Sequence, residues 1–128
     1  LQSRTMFGVG AVSGSTVSAV VEFGNYNDPA GAGWFARLVG GTPVPAGFQH
    51  LGGTRPENAW TNLKFIIKSR DVDFYENGVK LGTISRTATD FGALSGVYIG
   101  ASVTATQVAD FDDIVISTTS NVNDWNLY

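Results

Sequence analysis

Residues 63–85 constrain this chain more than any other stretch. Leu63, Phe65 and Ile67 alternate with Lys64, Ile66 and Lys68, and after a turn at Ser69 and Arg70, Val72 and Phe74 alternate with Asp71, Asp73 and Tyr75. A period of two puts each set on one side of an extended strand, with the first set of each run facing a core. Asn77-Gly78 then separates two strand-like runs, and this dipeptide takes the positive φ values of a type I′ turn. A hairpin is predicted there. No segment carries a helical period of useful length. Sixteen glycines, set among many Val, Ile, Thr, Phe and Tyr residues, cut the remainder into short strands and turns. The expected class is all-β.

The same reading places further strands. Over residues 15–23, Val17, Ala19, Val21 and Phe23 share a core face and Thr16, Ser18, Val20 and Glu22 the other. Over 33–39, Trp34, Ala36 and Leu38 oppose Phe35, Arg37 and Val39; both sides are partly apolar, as in a central strand covered on both faces. The intervening Asn, Asp, Pro and Gly residues predict an exposed loop. Residues 40–58 form the longest turn-rich stretch, with a short strand around 48–51, and long loops on β scaffolds often carry function. After a polar loop through Ser95, strands are expected at 97–101 and 108–116; the tail from Ser117 to Tyr128 has no single reading. With no repeat and no low-complexity linker, residues 1–128 read as one domain.

Composition excludes several classes. A membrane-spanning helix needs roughly 18 or more consecutive apolar residues, and the best apolar cluster, 65–67, is strand-sized. Eleven acidic against eight basic residues, the latter scattered, leave no electrostatic footprint for nucleic acid. With no cysteine there is no disulfide framework, thiolate metal site or cysteine nucleophile. The chain opens at Leu1 without a basic segment followed by an apolar one, so a targeting peptide is expected to have been removed or to lie outside this sequence.

Four segments together resemble the concanavalin A-like lectin/glucanase superfamily, particularly the laminin G-like domains of secreted bacterial proteins. They are Trp60-Thr-Asn-Leu-Lys-Phe-Ile-Ile, Val72-Asp-Phe-Tyr-Glu-Asn-Gly, Val97-Tyr-Ile-Gly and Phe111-Asp-Asp-Ile-Val-Ile. The resemblance covers roughly the second half of the chain. It implies a two-sheet antiparallel jelly roll, a buried Trp60 at a strand start, and a secreted or cell-surface location. Such domains run to about 150 to 220 residues, so N-terminal edge strands are expected to be missing. A sheet lacking strands exposes backbone N–H and C=O groups that template another chain; a second polypeptide, the same chain before cleavage, or a homo-oligomer through edge strands would complete it.

Four constellations are candidates for chemistry. Asp71-Val-Asp73 and Asp110-Phe-Asp112 have the spacing of paired strand carboxylates, but lack the Glu-x-Asp-x-Glu pattern of laminarinase-like glucanases and also fit ordinary exposed strand charges; no catalytic residue is assigned. Glu22, Arg37 and His50 fall on the same side of three early strands if those strands are neighbours, where they could bind a uronate or act as acid and base in a lyase. Tyr26 and Trp34 offer rings on which sugars stack, although Trp34 also fits a core position. Tyr26, Trp34, Arg37 and His50 are therefore the candidate ligand-binding residues. Asp112 and Asp113, with Asp28 or Asn25, are hard oxygen ligands of the type calcium takes. Neighbouring strand residues point to opposite faces, and Asp112 is the metal candidate.

Three functions follow. The leading expectation is a non-catalytic module that binds polysaccharide or other glycan. The alternatives are a structural subunit of an extracellular assembly whose sheet is completed by another chain, and a divergent polysaccharide hydrolase or lyase.

Overall fold

A computed structural model describes residues 4–26, 33–39, 47–56, 58–85, 94–102 and 110–117. Among them there is no helix, and none is long and apolar enough to cross a membrane. Eight strands form two antiparallel sheets: β1 (Arg4–Ser13), β2 (Thr16–Tyr26), β3 (Trp34–Leu38), β4 (Gln49–Gly52), β5 (Leu63–Ile67), β6 (Asp71–Glu76), β7 (Val79–Ser85) and β8 (Gly96–Ser102). The five-stranded sheet runs β4-β3-β2-β1-β8 and the three-stranded sheet β5-β6-β7.

The two sheets share one core, a β-sandwich arrangement. Val21, Phe23, Ala36 and Leu38 of the larger sheet meet Val72, Phe74 and Ile84 of the smaller. The Phe23 and Phe74 rings cross edge to face at 5.0 Å, and Phe7 stacks on Phe65 at 5.4 Å. These contacts bring the two sheets face to face. β5 lies over β1, β6 over β2, and β7 approaches β4, where Leu51 reaches Gly82. No described strand lies over β8.

The Asn77-Gly78 hairpin forms as expected, with φ of 48° and 81°. A second two-residue turn, Gly14-Ser15, joins β1 to β2, with φ of 60° at Gly14.

Strict alternation fails at three places, because three hairpin partners each carry a bulge. Val9 and Gly10 pair with Val21 and Ala19, Phe35 and Trp34 with His50 and Gly52, and Tyr75 and Phe74 with Lys80 and Gly82. The residues left over are Val20, Leu51 and Leu81. All three pack on the core. A bulge turns its extra residue out of the pleat, so Val20, expected on the outer face, is inward instead.

Other expectations change. Trp60, expected to be buried, is 73% exposed: the segment 58–60, with φ of 55° at Asn58, turns before β5 begins at Leu63. Asp73, expected to face water, is 2% exposed, because Lys68 (2.5 Å) and Lys80 (3.0 Å) fold over it and the Thr83 hydroxyl donates to it at 2.6 Å. The final strand expected at 108–116 is not one over its described part. Residues 110–116 are exposed and pair with no described strand, and φ of 50° at Asp113 interrupts the extended backbone. The loops read at 27–32, 40–46 and 86–93, and the tail beyond Ser117, lie outside the described residues.

Phe74→Ala should remove the cross-sheet ring contact with Phe23 and the contact with Phe65 in its own sheet, and lower stability by about 3–5 kcal/mol. The check is urea unfolding, with the midpoint reduced and the slope unchanged.

Candidate functional site

On the face of the large sheet turned away from the core, β2, β3 and β4 bring together residues far apart in sequence. The register sets Glu22 opposite Arg37 and Phe35 opposite His50, so the adjacency on which the early-strand cluster depended is present. Arg37 Nε donates to Glu22 Oε2 at 2.5 Å, and Arg37 Nη2 forms an ion pair with the same oxygen. The guanidinium lies over the Phe48 ring, 4.5 Å from its centroid. Phe48 in turn stacks on Tyr26 at 4.3 Å, and Tyr26 tilts against Phe35 at 5.7 Å.

Phe35 is buried beneath this layer and His50 is exposed above it, the two rings 4.8 Å apart. His50 also lies against Gly33. A Cβ there would strike His50 Nε2, and φ of 141° at Gly33 disfavours any side chain. Glycine thus makes the seat for the imidazole.

The arrangement combines apolar ring surface with directional donors. A guanidinium offers five N–H groups in a planar fork, and imidazole offers a donor or an acceptor. Tyr26, Arg37 and His50 are therefore brought together as candidates. Trp34 is not among them. It lies on the opposite side of β3, edge-on to Phe23 at 6.4 Å, with Nε1 donating to Glu76 Oε1 at 2.8 Å. Asp112 is remote from the cluster in sequence and exposed, and its Oδ1 accepts from the backbone N–H of Asp113 at 2.8 Å. Asn25 Oδ1 accepts from Arg55 Nη1, while Asp28 lies outside the described residues. No three His, Cys, Asp or Glu side chains group around a common point among the described residues.

Two ring residues of the cluster, Phe35 and Phe48, escape the sequence reading. The alternation that puts Phe35 beside Arg37 and Val39 was a usable signal for the first. For the second, the short strand read around 48–51 sets Phe48 on the side of His50 by alternation, although β4 itself begins at Gln49.

Glu76 supports the platform from the core side. Its carboxylate accepts from Trp34 Nε1, from the Thr54 backbone N–H (2.8 Å) and hydroxyl (2.7 Å), and from the Arg55 backbone N–H (3.0 Å). Gly53, with φ of 95°, passes so close to Trp34, Glu76 and Leu81 that no Cβ fits. The smaller sheet thereby holds both β3 and the segment leaving β4. Burial pushes the Glu76 carboxyl up, but donation from Trp34, Thr54 and Arg55 outweighs it and sets the group below its ordinary range. Burial likewise opposes ionisation of Asp73, and hydrogen bonds from Lys68, Thr83 and Lys80 overcome it, taking this carboxyl well below the usual range.

No family model matches this chain, and neither the curated proteins nor the solved structures contain a match to it.

Both carboxyls bind protons more weakly in the folded than in the unfolded chain. Their stabilisation is present above the unfolded carboxylate pKa of about 4 and is lost as pH falls through the lower folded values. Acid unfolding of the Glu76→Gln and Asp73→Asn variants should therefore show a flatter decline below about pH 4. Circular dichroism melts across pH 2–7, a range set by those carboxylate values, measure it.

Proposed function

We propose that this chain is a non-catalytic glycan-binding module of a secreted or cell-surface protein, built on the jelly roll of the concanavalin A-like lectin superfamily. The observation that carries this reading is the platform of Tyr26, Phe35, Phe48, Arg37 and His50 on the face opposite the core. Sugar rings pack their C–H faces on aromatic surface while hydroxyls bond to polar groups at the rim. The exposed His50 and the partly exposed Tyr26 and Phe48 supply surface, and the Arg37–Glu22 pair fixes a polar boundary.

The residues also argue for binding rather than hydrolysis. Glu22 is tied to Arg37 and Asp73 to two lysines, so neither acid belongs to a facing carboxylate pair among the described residues. Calcium enters this reading only through Asp112, which is exposed and far from the platform residues in sequence.

Affinity electrophoresis against neutral and uronate-containing polysaccharides, with calcium and with chelator, tests the proposal. Phe48→Ala and His50→Ala should each weaken retention about tenfold, the equivalent of one lost ring contact, with melting curves close to the parent. Failure to retain any polysaccharide, or retention indifferent to both substitutions, would reject it.

A further inference from the structure

The tip of the β6–β7 hairpin carries the single Asn-Gly of this sequence, Asn77-Gly78, and both residues are exposed. Beside it the β5–β6 ladder continues one pair beyond the strands. Leu63 stands opposite Glu76, and the next pair, Asn62 and Asn77, exchanges two hydrogen bonds. The Asn77 N–H donates to the Asn62 carbonyl at 2.8 Å, and the Asn62 N–H donates to Asn77 Oδ1 at 3.0 Å. In a regular antiparallel pair the second bond goes to a backbone carbonyl. Here the left-handed φ of 48° takes Asn77 out of the strand and into the turn, and its side-chain carboxamide supplies the acceptor instead.

The same carboxamide is half of a reactive pair. The Gly78 backbone nitrogen can attack Asn77 Cγ: a C–N bond forms to close a cyclic imide, and the carboxamide nitrogen leaves as ammonia, taking up the proton that Gly78 gives up. Water then opens the ring at one carbonyl or the other, giving Asp or isoaspartate. Water is consumed and ammonia released, with no other reagent. Glycine next in sequence leaves the attacking nitrogen without a Cβ beside it. The attack draws Cγ onto the following residue, whereas the bond from Asn62 holds the carboxamide across the gap between strands. The two arrangements compete for one group.

We propose that Asn77 is a site of spontaneous deamidation and that the Asn62 clamp sets its rate. The closed hairpin end protects the carboxamide, and cyclisation follows when that end opens. The clamp bond is exposed and lies at strand ends, where local opening costs less than global unfolding. The two products differ in consequence. Asp keeps an oxygen for the Asn62 N–H and makes that bond charge-assisted. Isoaspartate runs the backbone through the side-chain carbon and lengthens a two-residue turn that is fitted to its strands. None of this draws on the Tyr26–His50 platform, so failure of either proposal leaves the other standing.

Peptide mapping by mass spectrometry, on full-length chain incubated in mildly alkaline buffer with and without urea, tests the proposal. Asn77 should convert ahead of every other asparagine, and at least about tenfold faster in urea than in the folded chain. Asn62→Pro, which lacks the donating N–H, should raise the folded-state rate by about tenfold, the loss of one hydrogen bond, with its fold checked by circular dichroism. Asn77→Asp should melt close to the parent, and the chromatographically separated isoaspartate form at a lower temperature. Equal rates in folded and unfolded parent, prior conversion of another asparagine, or a folded Asn62→Pro chain that converts no faster would each overturn the proposal.

Discussion

One buried carboxylate holds the two sheets in their relative position at the β4/β7 side. Glu76 sits on the small sheet, yet all its described donors come from the large sheet or the segment that leaves it: Trp34, Thr54 and Arg55. Burying an ion without partners is prohibitive, whereas an ionised carboxylate with its lone pairs filled by N–H and O–H donors is tolerated and geometrically exacting. Those donors can converge only if β3, the 53–55 segment and β6 stand where they do. Apolar contacts such as Phe23 on Phe74 are permissive of small slides; a four-donor carboxylate is not.

The outer platform inherits its geometry from this anchor. Trp34 and Phe35 are adjacent on β3, so fixing the indole on the core side fixes the phenyl ring on the other. Arg55, held at its backbone by Glu76, extends its guanidinium to Asn25 and so ties the 53–55 segment to β2 beside Tyr26. The platform is thus framed by rigid elements on two sides. The far corner, where β8 has no described strand above it, has no equivalent polar tie among the described residues. Val97 and Ile99 there are 39% and 40% exposed.

Local pattern carried much of the architecture. The period-two runs at 63–67 and 72–75 and the Asn77-Gly78 turn are local signals, and they locate β5, β6 and β7 almost to the residue. The side-by-side order of β2, β3 and β4 follows the tendency of consecutive strands to neighbour one another, which is why Glu22, Arg37 and His50 share a face. What escaped depends on tertiary contact. Nothing near Asp73 announces that Lys68 and Lys80 will cover it, and nothing near Glu76 announces donors some twenty to forty residues away. Trp60 shows the opposite error, since a strand-start pattern fixes neither where the strand begins nor which way its flanking ring turns. Phe111 to Ile116 has the composition of a strand and no described partner, a distinction that sequence periodicity cannot make.

The three core-packed bulge residues carry a consequence for how this chain avoids misfolding. β1 contains Gly8 and Gly10, and strands poor in side chains slip easily, because a shift of two residues preserves inside and outside. Val20, Leu51 and Leu81 each act as an index mark on their hairpin. A two-residue slide would move the extra residue away from the cavity that receives it and leave an apolar side chain against solvent. Alignment of the meander is therefore set by volume at three points, where polarity alternation alone would leave several alignments of nearly equal energy.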